Sequence, residues 1–109
     1  MLEPLFGSVN KEKVLIFLYS RDEGYPNQIS RFFKKSLDPI QKQLEKLEDG
    51  GILYSRMAGR TRMYAFNPRY AFLKELKALL EKALVFYPAN EREALQMVRR
   101  RPRRKEKPL

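Results

Sequence analysis

The sequence predicts a mainly helical α+β fold: a three-helix core, a two-strand hairpin, a C-terminal helix and a basic tail. Three observations carry this expectation. Apolar residues recur at helical spacing in three segments before residue 50. The stretch "GILYSRMAGRTRMYAF" (51–66) holds two runs rich in β-branched and aromatic residues that meet at Ala58-Gly59. Finally, the end of the chain turns strongly basic.

Ser8 is a fair N-cap for the first helix, "VNKEKVLIFLYS", in which Val14, Leu15, Phe17 and Leu18 form a broad apolar face. Gly24 marks its end or the following turn. Asn27 caps a short second helix, "QISRFF", with Ile29, Phe32 and Phe33 on one side, and "KKS" follows as a tight turn. The third helix is the clearest. It runs over 37–49, and Ile40, Leu44 and Leu47 fall at i, i+4 and i+7. Either Ser36 or Asp38 serves as its N-cap, leaving Pro39 in the first turn, and Gly50-Gly51 stops it.

Ile52 to Met57 and Thr61 to Phe66 read as strands, with "MAGR" as a four-residue loop. Asn67-Pro68 pairs an N-cap with a proline at N1 and starts a fourth helix that Pro88 ends. Its apolar face (Phe72, Leu73, Leu76, Leu79, Leu80, Ala83 and Leu84) is wider than three short helices and a hairpin need, so it is expected to bury its excess in a homodimer. Packing inside the monomer against helix one is the other reading. Asn90 with Glu93 looks like a capping box for a last helix carrying Leu95, Met97 and Val98. Residues 1–88 are thus expected to form the domain, and 89–109 a short helix and a flexible basic tail.

Composition narrows the chemistry. Hydrophobic residues make up 43% of 109, enough for a packed core. The formal net charge is +10, of which Arg99–Lys107 supplies +6. A basic tail on a mildly basic body implies a polyanionic partner, most simply nucleic acid. With neither cysteine nor histidine, disulfides, Cys/His metal sites and Ser-His or Cys-His nucleophile pairs are excluded. No Gly-rich phosphate loop occurs and the carboxylates scatter along helical faces, so no enzyme, cofactor or metal is expected. No apolar run is long enough to span a bilayer, and "MLEPLFGS" lacks the marks of a signal peptide, which leads us to expect a cytoplasmic protein without a membrane partner.

The stretches "ISRFFKKSLDPIQKQLEKLEDGGIL" and "SRMAGRTRMYAFNP" resemble the two-helix DNA-reading unit and the wing of winged helix-turn-helix transcriptional regulators, closest to the ArsR-like and MarR-like bacterial repressors. The resemblance covers about residues 5–87. Ser30 and Ile40 match the small and aliphatic places of that pattern, but Lys34 stands where a turn glycine is expected. Lysine is strained in a left-handed turn, so the turn is expected to be built differently. The resemblance implies a sequence-specific regulator of double-stranded DNA, a dimeric repressor, whose two reading helices sit about 34 Å apart.

The side chains agree with that reading. Gln41 can pair with adenine N6 and N7, and Lys42 can reach guanine or a phosphate. Lys46 suits the DNA backbone, Asp38 caps the helix or accepts from cytosine N4, and Lys34, Lys35 and Ser36 lie where the helix's free N–H groups favour a phosphate. In the hairpin, alternation places Arg60, Arg62, Tyr64 and Phe66 on one parity, with Arg56 approaching from the other strand and Thr61 at the turn. A cationic tip over 57–61 suits the minor groove or its phosphates.

Each feature has a plainer counterpart: a solvated helix with Lys42–Glu45 and Lys46–Asp49 ion pairs, and a loop tip that is merely soluble. The tail residues Arg99, Arg100, Arg101, Arg103, Arg104 and Lys105 fit DNA wrapping, a solubilising end, or an acidic protein partner. The competing function is therefore a winged-helix protein–protein interaction module with a generic polyanion-binding surface. No constellation marks a small-molecule effector.

Overall fold

The structure, a computed structural model, describes residues 1–96. At its centre lies a helix with no exposed apolar face. α1 is a single turn, Glu3–Phe6, and α2 is Val9–Arg21. Ser8 caps α2 as expected, its hydroxyl accepting from the Lys11 N–H at 3.1 Å. Every residue from Val14 to Leu18 is buried, so α2 is surrounded by the other elements rather than laid on one of them. Ile29, Ile40, Leu44, Leu47, Leu53, Tyr64, Phe66, Leu80 and Leu84 complete the core around it.

Two residues after α2 the chain forms a short strand that the hydrophobic pattern did not announce. β1 (Glu23–Gly24) pairs antiparallel with β3 (Thr61–Phe66), which pairs antiparallel with β2 (Leu53–Ala58), giving the order β1-β3-β2. Gly24 is therefore a strand residue, not a helix stop. A Cβ there would lie 2.8 Å from the Phe17 ring, so only glycine lets the strand pass this close to α2.

α3 (Pro26–Phe33) starts one residue before the expected cap, with Tyr25 as N-cap and Asn27 inside the first turn. Phe32 and Phe33 stack edge-on with each other at 4.8 Å and with Phe17 at 5.6 and 6.3 Å, which locks α3 against α2. α4 (Leu37–Asp49) has the expected bounds, with Ser36 at the N-cap and Ile40, Leu44 and Leu47 buried.

The turn between α3 and α4 departs from expectation. Lys34 does adopt the left-handed conformation, with φ 56° and ψ 46°. Ser30 holds it there: the Ser30 hydroxyl donates to the Lys35 carbonyl at 2.6 Å, and the Lys35 N–H donates to the Ser30 carbonyl at 3.0 Å. Two bonds between the same pair of residues close the turn around the strained lysine.

The hairpin is tighter than a four-residue loop. Ala58 pairs with Thr61, leaving Gly59-Arg60 as a two-residue turn whose first residue is a glycine at φ 67°. Asn67 does not open a helix; its amide donates to the Gly51 carbonyl at 2.9 Å and its carbonyl oxygen accepts from the Arg69 N–H at 3.0 Å. The side chain ties the exit of the hairpin back to its entrance, and α5 begins later, at Leu73–Val85. Residues 89–96 are helical, opening before Asn90, with the Pro88 carbonyl accepting from the Arg92 N–H at 2.9 Å. Leu95 is fully buried, and Arg21 donates to the Ala94 and Leu95 carbonyls at 3.1 and 2.9 Å, so this segment shares the common core. Met97, Val98 and the basic tail lie outside the described residues.

Candidate nucleic-acid interface

β2 follows α4 through Gly50–Ile52, so the hairpin runs back along the helix and returns its tip toward the helix N-terminus. A cleft of about 280 Å³ forms where they meet, lined by Leu37 and Gln41 of α4, by Arg60, Thr61 and Arg62 of the hairpin, and by Tyr25, Pro26 and Asn27. The structure thus brings the reading-helix candidate Gln41 and three hairpin candidates to one opening. Asp38, Gln41, Lys42 and Glu45 line a second, shallower depression on the exposed side of α4.

The cations here are available. Lys34, Lys35, Lys42, Lys46 and Arg60 are exposed, as are Ser36 and Asp38. None of these cations forms an ion pair among the described residues, so the Lys42–Glu45 and Lys46–Asp49 pairs of the plainer reading are not made. Free lysines around the N-terminus of a helix with unsatisfied N–H groups make a surface suited to an anion.

Of the three hairpin arginines, Arg56 departs from the sequence reading. Cross-strand partners share a face, so Leu53, Ser55, Met57, Arg62, Tyr64 and Phe66 lie on the core side. Arg56, opposite Met63, lies on the other side and pairs with Glu23 at 2.6 Å, away from the cleft. Arg62 donates to the Ser55 hydroxyl at 2.9 Å, and that hydroxyl donates to Glu48 of α4 at 2.7 Å. Burial, and then the Glu48 and Glu45 carboxylates, push the Tyr64 hydroxyl above its usual range, against the opposing effect of Arg62.

The proposed self-association face is also divided. Leu80, Ala83 and Leu84 are buried inside the single chain, while Leu73, Leu76 and Leu79 are half-buried. Only Phe72 of that set is exposed, and Val85 and Phe86, beyond the predicted stripe, are exposed with it. The sequence reading missed Tyr25, Pro26 and Asn27 in the cleft and Glu48 behind it. Asn27 had a local signal, a polar residue in a first turn, but nothing local brings α3 to the hairpin. Among the described residues no group of acidic side chains could hold a metal, and no helix is long and apolar enough to cross a membrane.

No protein-family model matches the chain. No curated protein matches it either. Solved structures do. The adhesin competence repressor AdcR of Streptococcus pyogenes superposes with a TM-score of 0.56 at 13% identity, covering 89% of this chain and 81% of that one. An apo double-substitution variant of ZitR from Lactococcus lactis gives a TM-score of 0.56 at 15% identity, covering 97% of this chain and 89% of that one. Helices α3 and α4, the β2–β3 wing and these neighbours together make the fold a winged helix.

Proposed function

We propose that this chain is a sequence-specific, double-stranded-DNA-binding transcriptional regulator that acts as a dimeric repressor. α4 enters the major groove, where Gln41 and Lys42 read base edges. The 57–61 wing tip sits on the adjacent minor groove or its phosphates through Arg60 and Arg62, and Lys34, Lys35 and Lys46 meet phosphates. The observation that carries the reading is the shared cleft of Gln41 with Arg60, Thr61 and Arg62. Beside it on α4, exposed Lys42 forms no ion pair among the described residues. The structural likeness to the adhesin competence repressor AdcR supports the same direction. Exposed Phe72, Val85 and Phe86 supply an apolar surface for the second copy.

Selection of preferred sites from randomised duplex DNA tests this. A two-fold site bound with a steep salt dependence is expected. Gln41→Ala then changes preference at one base position, whereas Arg60→Ala weakens all sequences alike. Binding indifferent to sequence would replace this reading with the polyanion-binding interaction module. Light scattering tests the dimer: Phe86→Glu is expected to halve the mass, and equal monomer masses for it and the wild type would dismiss self-association.

A further inference from the structure

Glu48 lies seven residues beyond Gln41, two turns along α4 on the same side of the helix. There it closes the far end of the seam between helix and wing. Ser55 has a single hydroxyl proton, and Glu48 Oε2 takes it at 2.7 Å. That fixes the hydroxyl's orientation and leaves its lone pair to accept from Arg62 Nη1 at 2.9 Å. The chain Glu48–Ser55–Arg62 therefore joins the reading helix to the wing through three side chains. Each bond polarises the next, and a charge stands at both ends.

Arg62 uses one of its five N–H donors in this chain. Arg62 as a whole is exposed, and it lines the cleft with Gln41, Arg60 and Thr61. An arginine with no such tether would sample many rotamers and lose that freedom on meeting a phosphate; a tethered one has lost it already. We propose that Glu48 and Ser55 are positioning residues that hold the Arg62 guanidinium at a set distance from Gln41, so that α4 and the wing address DNA as one unit. This rests on the DNA-binding reading.

The test compares full-length wild type, Ser55→Ala, Ser55→Thr, Glu48→Ala, Arg62→Ala and the Ser55→Ala/Arg62→Ala pair on the selected duplex. Ser55→Ala and Glu48→Ala are each expected to weaken binding roughly three- to tenfold at an unchanged salt slope. Arg62→Ala lowers the slope by about one. Adding Ser55→Ala to Arg62→Ala should bring no further loss, and Ser55→Thr, which keeps the hydroxyl, should restore wild-type affinity. Nitrogen NMR reads the tether without DNA: the Arg62 guanidinium should be ordered in the wild type and mobile in Ser55→Ala. Additive losses, unchanged affinity in Ser55→Ala, or an equally mobile Arg62 in both proteins would overturn the positioning role alone. A wild type that binds no duplex would overturn the DNA-binding reading, and the positioning role with it.

Discussion

Two carboxylates accept from hydroxyl groups at nearly the same distance, and their surroundings give them different work. Glu12 on α2 accepts from Tyr87 at 2.6 Å and from the Leu2 N–H at 2.8 Å, with the N-terminal ammonium at 3.5 Å, and is only 3% exposed. It fastens α1, α2 and the chain beyond α5 at one buried point. Glu48 accepts from Ser55 behind the cleft, in a hydrogen-bond chain that ends in an exposed arginine. The buried acid has its lone pairs spent on the fold, while the other passes its charge outward to a side chain that can still bind. Similar bonds thus secure stability at one end and present a cation at the other.

Breaking the buried node should have the largest effect. Glu12→Ala strands the Tyr87 hydroxyl and the Leu2 N–H in the interior and is expected to cost about 2–4 kcal/mol, read as a lowered urea midpoint. Affinity for the selected duplex, measured where the variant is still folded, should hardly change. A large affinity loss at full folding would show that the two ends are coupled. The same group predicts a pH dependence. Burial pushes the Glu12 carboxyl up, but the Tyr87 and Leu2 hydrogen bonds and the ammonium outweigh it, so its pKa lies below the ordinary 4.5. A depressed carboxyl contributes stability that is complete above 4.5 and fades as pH falls through its folded value. The stability gap between wild type and Glu12→Gln should therefore narrow on acidification from neutral pH, and a gap independent of pH would dismiss the assignment.

Next in size is the strained turn. A left-handed lysine costs about 1–2 kcal/mol, which glycine avoids at the expense of its own chain entropy. Lys34→Gly is therefore expected to raise stability by up to about 1 kcal/mol in denaturant titrations. On the proposed DNA-binding reading, which sets Lys34 against a phosphate, it should also weaken duplex binding at every sequence and flatten the salt slope. No gain in stability would mean that the double bond between Ser30 and Lys35 relieves the strain completely.

That turn also shows where sequence reasoning reaches and where it stops. α4 was legible to the residue because its signals are local: Ser36 before it, three apolar residues on one stripe, two glycines after it. The wing strands and their cationic tip were legible for the same reason. Lys34 was misjudged because Ser30, which reaches forward to close the turn, was read only as a small residue. Asn67-Pro68 has the local form of a helix start, yet the Asn67 amide is claimed by Gly51, sixteen residues back. β1 is too short to leave a pattern, and its two residues become a strand only because β3 is there to pair with them. The apolar width of α5 was real, but α2 and the core cover Leu80, Ala83 and Leu84, which no helical wheel of α5 alone discloses. The cleft is half legible on the same grounds: Gln41 and Arg60 announce themselves, while Tyr25, Pro26 and Asn27 join them only through the packing of α3.

The smallest expected effect concerns the third carboxylate contact, Glu23 with Arg56. At 2.6 Å it is as short as the Glu12–Tyr87 bond, but its side chains are 45% and 51% exposed, so water and salt screen it. Arg56→Ala should cost less than about 1 kcal/mol at low salt and nothing measurable at high salt. Its value lies in separating the wing's two faces. Arg56 points away from the cleft that holds Arg60 and Arg62, so its loss should reduce duplex affinity and salt slope less than Arg60→Ala does. Equal losses would mean that Arg56 leaves Glu23 to meet a phosphate, and that DNA engages both faces of the wing. In that case Glu23→Gln should tighten binding by freeing the arginine. If DNA engages only the cleft side, the same substitution leaves affinity where it was.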